Sequence, residues 1–401
     1  MIEIPVVMAF DKNYCMPAGV AMHSMLTHAG RAHNGTTLHY HIHLLVQGLD
    51  STDKDRLRQT IAPFQTFTTL EFHELPQNRT EQNRTEQNRT EQNRTEQNRT
   101  EQNSAYHEKL NLLSKSLNRH TRKRFSTLIL CRLVLSSLFP QYDKILMCDV
   151  DVLFVGDIAP AYFMLEDQNS YYFAAAKEVN WYKNAKDLQR TREMDALIVD
   201  SDQGVLNPQE WQIIHDNYFN VGFMVIDLRT WRRDRIEEKC IELFMEKGHG
   251  LLCPEQDTLI LTCYQRVLQL PYAYNVHLSD FNNPKGLIHQ HVKNAQEVIM
   301  WHFYGPDKPW LPENLAGAQV WLYTLLQTPF RFDYFDRYYR YLKVGSDTNE
   351  DSYPLESLIT KRFLMGYIAH KLKKKSKKIF KYCLWRCKQV FAKKKQNHLA
   401  N

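Results

Sequence analysis

Between Tyr142 and Val155 the chain reads Tyr-Asp-Lys-Ile-Leu-Met-Cys-Asp-Val-Asp-Val-Leu-Phe-Val, an apolar stretch with two carboxylates, Asp149 and Asp151, set into it. A run this apolar belongs in a buried strand, where two neighbouring anions are costly unless a positive charge meets them. Side chains at i and i+2 of a strand share a face, so the pattern predicts one strand over residues 142–155 that offers both carboxylates to one cation. Hard oxygen ligands suit Mg²⁺ or Mn²⁺, ions that bridge proteins to phosphate oxygens. Two solvated acids at a strand end are the plainer reading of a bare Asp-x-Asp. The apolar runs on both sides weigh against it, and the stretch reads as a metal–diphosphate site.

The region upstream alternates in the α/β manner. Apolar patterning predicts strands at 4–10, 38–45 and 69–75 with helices at 18–29 and 53–62 between them. That order implies a parallel sheet with helices on its faces and ligand groups at the carboxyl ends of the strands. Residues 78–102 then interrupt it with five tandem copies of Asn-Arg-Thr-Glu-Gln, without one apolar side chain. Such a segment cannot offset its own ordering entropy, so a disordered insert is expected over 77–103, with a lid as the functional alternative. Beyond it, 107–124 reads as a basic helix with a stripe at Leu110, Leu113 and Leu117, and 126–138 as an apolar helix carrying Arg132. Further strands are expected at 171–176, 220–228 and 298–303, and helices at 235–245 and 256–263.

With 401 residues, 43% of them apolar, one large α/β domain with appendages or two domains can be built. The eight cysteines show no paired C-x-x-C spacing, so no zinc site or disulfide framework is legible and a reducing compartment is the default. The N-terminus reads as a first strand, not a signal peptide, and no apolar run reaches membrane-spanning length. Residues 361–401 hold 14 of the 51 Lys and Arg and none of the 45 Asp and Glu, so the first 360 residues carry 37 basic against 45 acidic side chains. An acidic body argues against nucleic acid as a partner. The tail interleaves its lysines with Phe380, Leu384 and Trp385 and reads as an interfacial anchor for an anionic membrane.

A second motif, Met300-Trp-His-Phe-Tyr-Gly-Pro-Asp-Lys-Pro-Trp310, sets His302 before a turn, Gly305 in it and Lys308 three residues on. The imidazole could complete a metal shell, the glycine admit a phosphate and the lysine supply its counter-charge. Together with Ala9-Phe-Asp-Lys-Asn-Tyr14, Cys131-Arg-Leu133, Leu146–Leu153 and Tyr218-Phe-Asn-Val-Gly-Phe223, taken in order, the chain resembles glycosyltransferase family 8. The likeness is strongest to the bacterial lipo-oligosaccharide and lipopolysaccharide hexosyltransferases.

That resemblance implies a GT-A fold, a Rossmann-like mixed sheet with flanking helices, over residues 1–345, with 346–401 as a basic helical tail. It implies a retaining enzyme using UDP-galactose or UDP-glucose and Mn²⁺, with Mg²⁺ as the alternative, held by Asp149, Asp151 and His302. Asp11, Asn13 and Tyr14 would meet uridine, with Tyr14 stacked on the base, and Ala9 and Val150 would belong to the same nucleotide-sugar surface. Arg132, Gly305 and Lys308 would contact the diphosphate and Asn220 the hexose. Cys253-Pro-Glu-Gln-Asp-Thr258 would place Gln256 beneath the anomeric carbon and Glu255 near the sugar hydroxyls; the family more often has Asp where Glu255 stands. An amide is a poor nucleophile, so front-face displacement is preferred, with a carboxylate nucleophile at Glu255 or Asp257 as runner-up. The acceptor would be a lipo-oligosaccharide or other glycolipid, and the location cytoplasmic, peripheral on the inner face of the bacterial inner membrane. A non-catalytic sugar-binding or scaffold protein and a nucleotide-sugar-forming nucleotidyltransferase are the alternatives.

Overall fold

The computed structural model describes residues 1–75, 97–117, 127–165, 170–179, 182–198, 205–305, 308–311 and 319–344. Its strands, in chain order, are β1 Ile2–Asp11, β2 Ala32–His33, β3 Thr36–Gln47, β4 Thr68–Glu74, β5 Lys144–Cys148, β6 Val152–Phe154, β7 Phe173–Lys177, β8 Phe219–Asp227, β9 Val267–Leu270, β10 Val276–His277 and β11 Met300–His302. Eight form one sheet in which β4, β3, β1, β5, β8, β7 and β9 lie side by side and β2 folds back on β3. The first four of these run parallel, as the βαβαβ order predicts. β8 runs antiparallel to both β5 and β7, so the sheet is mixed. Local patterning does not record strand direction; the opening strands run parallel as their order implies, and β9 also lies parallel to β7, in a sheet that is mixed as the resemblance implies.

The expected single strand over 142–155 is broken. β5 stays in the main sheet, while β6 joins β10 and β11 in a separate three-stranded sheet. Asp149, Val150 and Asp151 are the crossing between them. The Asp149 N–H still donates to the Gly222 carbonyl of β8 at 2.8 Å, and the Asp151 carbonyl already accepts from the Phe303 N–H beyond β11 at 2.9 Å. Each carboxylate therefore rides on backbone tied to a different sheet. The pleat argument for a shared face does not apply; the junction brings the two acids together.

The helix Cys15–His28 holds the second sheet in place. It is buried from Cys15 through Leu26, as a helix apolar all round must be. The Phe154 N–H of β6 donates to its Ser24 hydroxyl at 3.1 Å. Against its far side pack Trp321 and Phe330, so closely that Gly19 leaves no room for a Cβ beneath the Phe330 ring. The aromatic run at 330–339 thus packs Phe330 and Tyr334 inward, in and before the helix Arg331–Val344.

The region 126–138 is a 3₁₀ segment, Thr127–Val134, followed by a short α-helix, Leu135–Leu138, not one apolar α-helix. The helix expected to begin near residue 107 runs Gln97–Ser116, so it takes in the last Asn-Arg-Thr-Glu-Gln unit. Residues 77–96 of the repeat region, 118–124 of the expected basic helix and the tail at 346–401 lie outside the described residues. The helix is docked by Leu113 and Leu117, both buried, and by Lys109, whose ammonium donates to Glu237 at 2.6 Å. Glu237 is itself buried and also accepts from the Ser136 hydroxyl, the Ser137 N–H and the Ser137 hydroxyl. Stripping that carboxylate strands four donors in a low-dielectric setting. Glu237→Ala is expected to cost about 3 kcal/mol, read in urea as a lower midpoint with an unchanged slope.

Candidate active site

Three acceptor atoms converge at the sheet junction. His302 Nε2 lies 3.5 Å from Asp149 Oδ2 and 3.3 Å from Asp151 Oδ1. His302 arrives there by register: on β11 it pairs with Val152 of β6 and with His277 of β10, and Val152 follows Asp151 directly.

Its tautomer follows from a chain of hydrogen bonds that begins at a backbone amide. The Gly222 N–H donates to Asn220 Oδ1 at 2.8 Å, which identifies that atom as the amide oxygen. The same oxygen takes a hydrogen bond from Asn275 Nδ2 at 2.7 Å. Asn275 must then turn its own oxygen to His302 Nδ1, 2.9 Å away, so Nδ1 carries the proton and Nε2 the lone pair. Nε2 is buried and has no hydrogen-bond partner. A lone pair and two carboxylates facing one another are satisfied by a cation, and ligands around one hexacoordinate ion of this kind stand about 3 Å apart. The donor set therefore fits a divalent ion of the Mg²⁺ or Mn²⁺ type. Gly222 is part of the design: a Cβ there would fall 2.4 Å from the His302 ring.

Two fixed cations flank the acids. Arg132, 4% exposed, donates to Asp149 and sits 3.7 Å from Glu255. Lys308 donates to Asp151 and, at 2.7 Å, to the Phe303 carbonyl. Burial works against ionisation of Asp151, but the Lys308 ammonium beside it favours the carboxylate, and its carboxyl is held below the usual range. Burial likewise opposes the charge on Arg132, and Asp149 with Glu255 more than restores it. Asp149, Asp151 and Glu255 against Arg132 and Lys308 leave at most one net negative charge, so a divalent ion would make the cluster a positive site matched to a diphosphate.

The helix Pro254–Cys263 supplies the opposite wall, and its three predicted residues do different things. Asp257 is fully enclosed and takes two 2.8 Å hydrogen bonds from Arg192, so it is bound up in the structure and turned away from chemistry. Gln256 Oε1 accepts from the Val221 N–H at 3.2 Å. Burial raises the Glu255 pKa, with Arg132 opposing, and its Oε2 has no hydrogen-bond partner. A small pocket adjoins the relay, lined in part by Glu178, Asn220, Asn275, Asp280 and Tyr304.

At the carboxyl end of β1, Ala9 is partly exposed, and Asp11 caps the turn Lys12–Tyr14 by accepting from the Asn13 N–H at 2.9 Å. Tyr14 packs edge-on against Trp310 at 5.7 Å; burial, then Asp151, Asp11 and Asp149, push its hydroxyl up to about 12. Val150 is buried between the two acids. Gly305 has φ +85°, the left-handed region that glycine enters freely, and the space beside its Cα is open. The structure thus gathers Asp149, Asp151, His302, Arg132, Lys308, Glu255, Gln256 and Asn220 about one junction, with Tyr14 packed on Trp310. Sequence reading missed Asn275, Gly222 and Glu178. Asn275 lies 27 positions from the imidazole it orients, in a segment with no spacing signal; Gly222 stood in a quoted motif, but its role depends on a ring from another strand.

The family model for glycosyl transferase family 8 matches residues 5–314. Among characterised relatives, the lipopolysaccharide 1,2-glucosyltransferase of Escherichia coli K12 is 25% identical over 170 residues, 42% of this chain and 44% of that protein. The chain thus spans less than half of that relative's length. Among solved structures, the bifunctional glycosyltransferase WbbM superposes with a TM-score of 0.58 at 20% identity, covering 84% of this chain and 51% of that one. The galactosyltransferase LgtC, solved with donor and acceptor sugar analogues, gives 0.52 at 18% identity, covering 81% and 96%. At these identities the superpositions establish a shared GT-A fold.

The relay makes its own prediction. Asn275→Leu removes the acceptor that keeps the proton on His302 Nδ1, and divalent-ion affinity should fall about 10–100-fold with the fold retained. Titration calorimetry with Mn²⁺, alongside far-ultraviolet circular dichroism, checks both halves.

Proposed function

Because the chain belongs to glycosyltransferase family 8, we propose that it is a metal-dependent, retaining hexosyltransferase. It moves galactose or glucose from a UDP-sugar onto a lipo-oligosaccharide or lipopolysaccharide core. The observation that carries the reading is the meeting of three lone-pair donors, Asp149, Asp151 and His302, between two fixed cations, Arg132 and Lys308.

When bound, the divalent ion would neutralise the donor's diphosphate as Asp149, Asp151 and His302 hold it. The remaining work falls to side chains. Cleaving the anomeric C–O bond leaves negative charge on the departing diphosphate, and Arg132 and Lys308 supply N–H donors for it. Both now donate to Asp149 and Asp151 and would exchange those partners for phosphate oxygens. Asp11, Asn13 and Tyr14 lie at the end of β1 for the uridine, and Asn220 with Glu178 faces the adjoining pocket for the hexose. With its oxygen engaged by the Val221 N–H, Gln256 is a positioned dipole and not a nucleophile, which favours front-face displacement with the leaving phosphate accepting the acceptor's proton. The Arg192 clamp withdraws Asp257 from the covalent alternative.

In this reading residues 346–401 keep the enzyme on the cytoplasmic face of the inner membrane. Their composition supports it: each basic residue near an anionic surface contributes roughly 1 kcal/mol. Among the described residues no helix is long and apolar enough to cross a membrane.

Purified protein should release UDP from one of UDP-galactose or UDP-glucose with Mn²⁺ and fall silent with EDTA. Asp149→Asn and Asp151→Asn should each lose about 10²–10³-fold or more in rate; near-wild-type turnover in either would overturn the metal assignment. Deleting 361–401 should release the protein from phosphatidylserine-bearing liposomes while sparing transfer to a soluble acceptor, and unchanged co-sedimentation would remove the anchor from the proposal.

A further inference from the structure

A second cluster of metal-ligating groups lies toward the opposite end of the main sheet, away from the junction. β3 contributes His41 and His43, and the edge strand β4 contributes Glu71 and His73, with Glu71 in register with His43. Glu3 of β1 and Tyr142, just before β5, approach the same group. His43 is fully buried; His41 and Glu71 are partly exposed.

Proton bookkeeping at Glu3 decides what the His41 imidazole presents. The Tyr142 phenol oxygen lies 2.9 Å from His41 Nδ1 and 3.0 Å from His43 Nε2, and Glu3 Oε1 lies 3.4 Å from His41 Nδ1. A carboxylate only accepts, so His41 Nδ1 carries a proton toward Glu3 and its Nε2 keeps the lone pair. The ring nitrogens that face Glu71 are His41 Nε2 and His43 Nδ1. These two atoms each stand 3.7 Å from one oxygen of Glu71. His73 Nε2 is a further 3.0 Å from His43 Nδ1. His41, His43 and Glu71 each offer a ligand atom within 4.8 Å of the others. Metal bonds of about 2.0–2.2 Å in a tetrahedron place donors about 3.3–3.6 Å apart, close to the spacing seen. Burial, reinforced by His41 and His73, pushes the His43 pKa down to about 3 and keeps that ring in its neutral, ligating form.

We infer that His41, His43 and Glu71, with His73 beside them, form a site for a borderline transition-metal ion of the Zn²⁺ class, separate from the junction site. The nitrogen-rich donor set distinguishes it: imidazoles suit Zn²⁺, Co²⁺ and Ni²⁺, whereas two carboxylates at Asp149 and Asp151 suit Mg²⁺ and Mn²⁺. Glu3 and Tyr142 supply outer hydrogen bonds to His41, and Tyr142 a further one to His43. An ion there would tie β4, which hydrogen-bonds to β3 alone, to its neighbour at the point where the chain leaves for the repeats.

The test uses the full chain carrying Asp149→Asn and Asp151→Asn, which disables the junction site. Titration with Zn²⁺ should show one ion per chain and a raised melting temperature, and Co²⁺ should give the visible bands of a tetrahedral complex. Adding His41→Ala or Glu71→Gln, both at partly exposed positions where folding is preserved by circular dichroism, should weaken Zn²⁺ at least tenfold. Absence of zinc binding in the parent, or undiminished binding in both added variants, would overturn the site. Equal preference for Mg²⁺ would overturn the assigned metal class.

Discussion

Everything at the active centre depends on a strand that changes sheets. Between Cys148 and Val152 the backbone leaves one hydrogen-bonded array and enters another, and neither array can release it cheaply: one bond to Gly222 holds the first acid and one to Phe303 holds the second. A continuous strand would keep both carboxylates on one rigid ladder with neighbours fixed on either side. A crossing instead opens a gap at the seam, where groups from β8, β11 and the 3₁₀ segment Thr127–Val134 can all arrive. Buried Val150 anchors the crossing from within, so the gap is a property of the fold and not of a mobile loop.

Across that seam, chemistry passes from backbone to side chain. A peptide N–H has no alternative protonation state, which makes the Gly222 amide a fixed reference; two asparagines carry its polarity to His302. Ordinary imidazoles choose their tautomer by small energy differences. Here the choice is imposed from β8. The arrangement also explains why an asparagine and a glycine stand two residues apart near the start of that strand: the glycine clears space for the ring, and the asparagine aims it through Asn275.

Much of this was legible beforehand, for identifiable reasons. The parallel strands and the apolar helix behind them are local patterns, and Asp149, Asp151 and His302 stand in motifs whose residue types betray their chemistry. What escaped depends on pairing between distant segments. The break after Cys148 is invisible because β5 and β6 are equally apolar. Antiparallel β8 carries no directional mark, and Asn275 acts only through a partner brought near by β10 and β11. The start of the Gln97–Ser116 helix was misplaced because composition speaks against order while a docked helix extends its neighbours by propagation.

That last feature bears on how this chain can change over generations. The helix is clamped at its middle and far end, at Lys109, Leu113 and Leu117, downstream of every repeat unit. Gaining or losing a unit therefore leaves the clamped residues in phase with the body. Its effect is confined to the incoming side, where five residues of helix correspond to about 7.5 Å of length and about 140° of net rotation. A change in copy number would thus fall upstream of a mechanical stop, with the clamped residues and the catalytic body behind them keeping one shape.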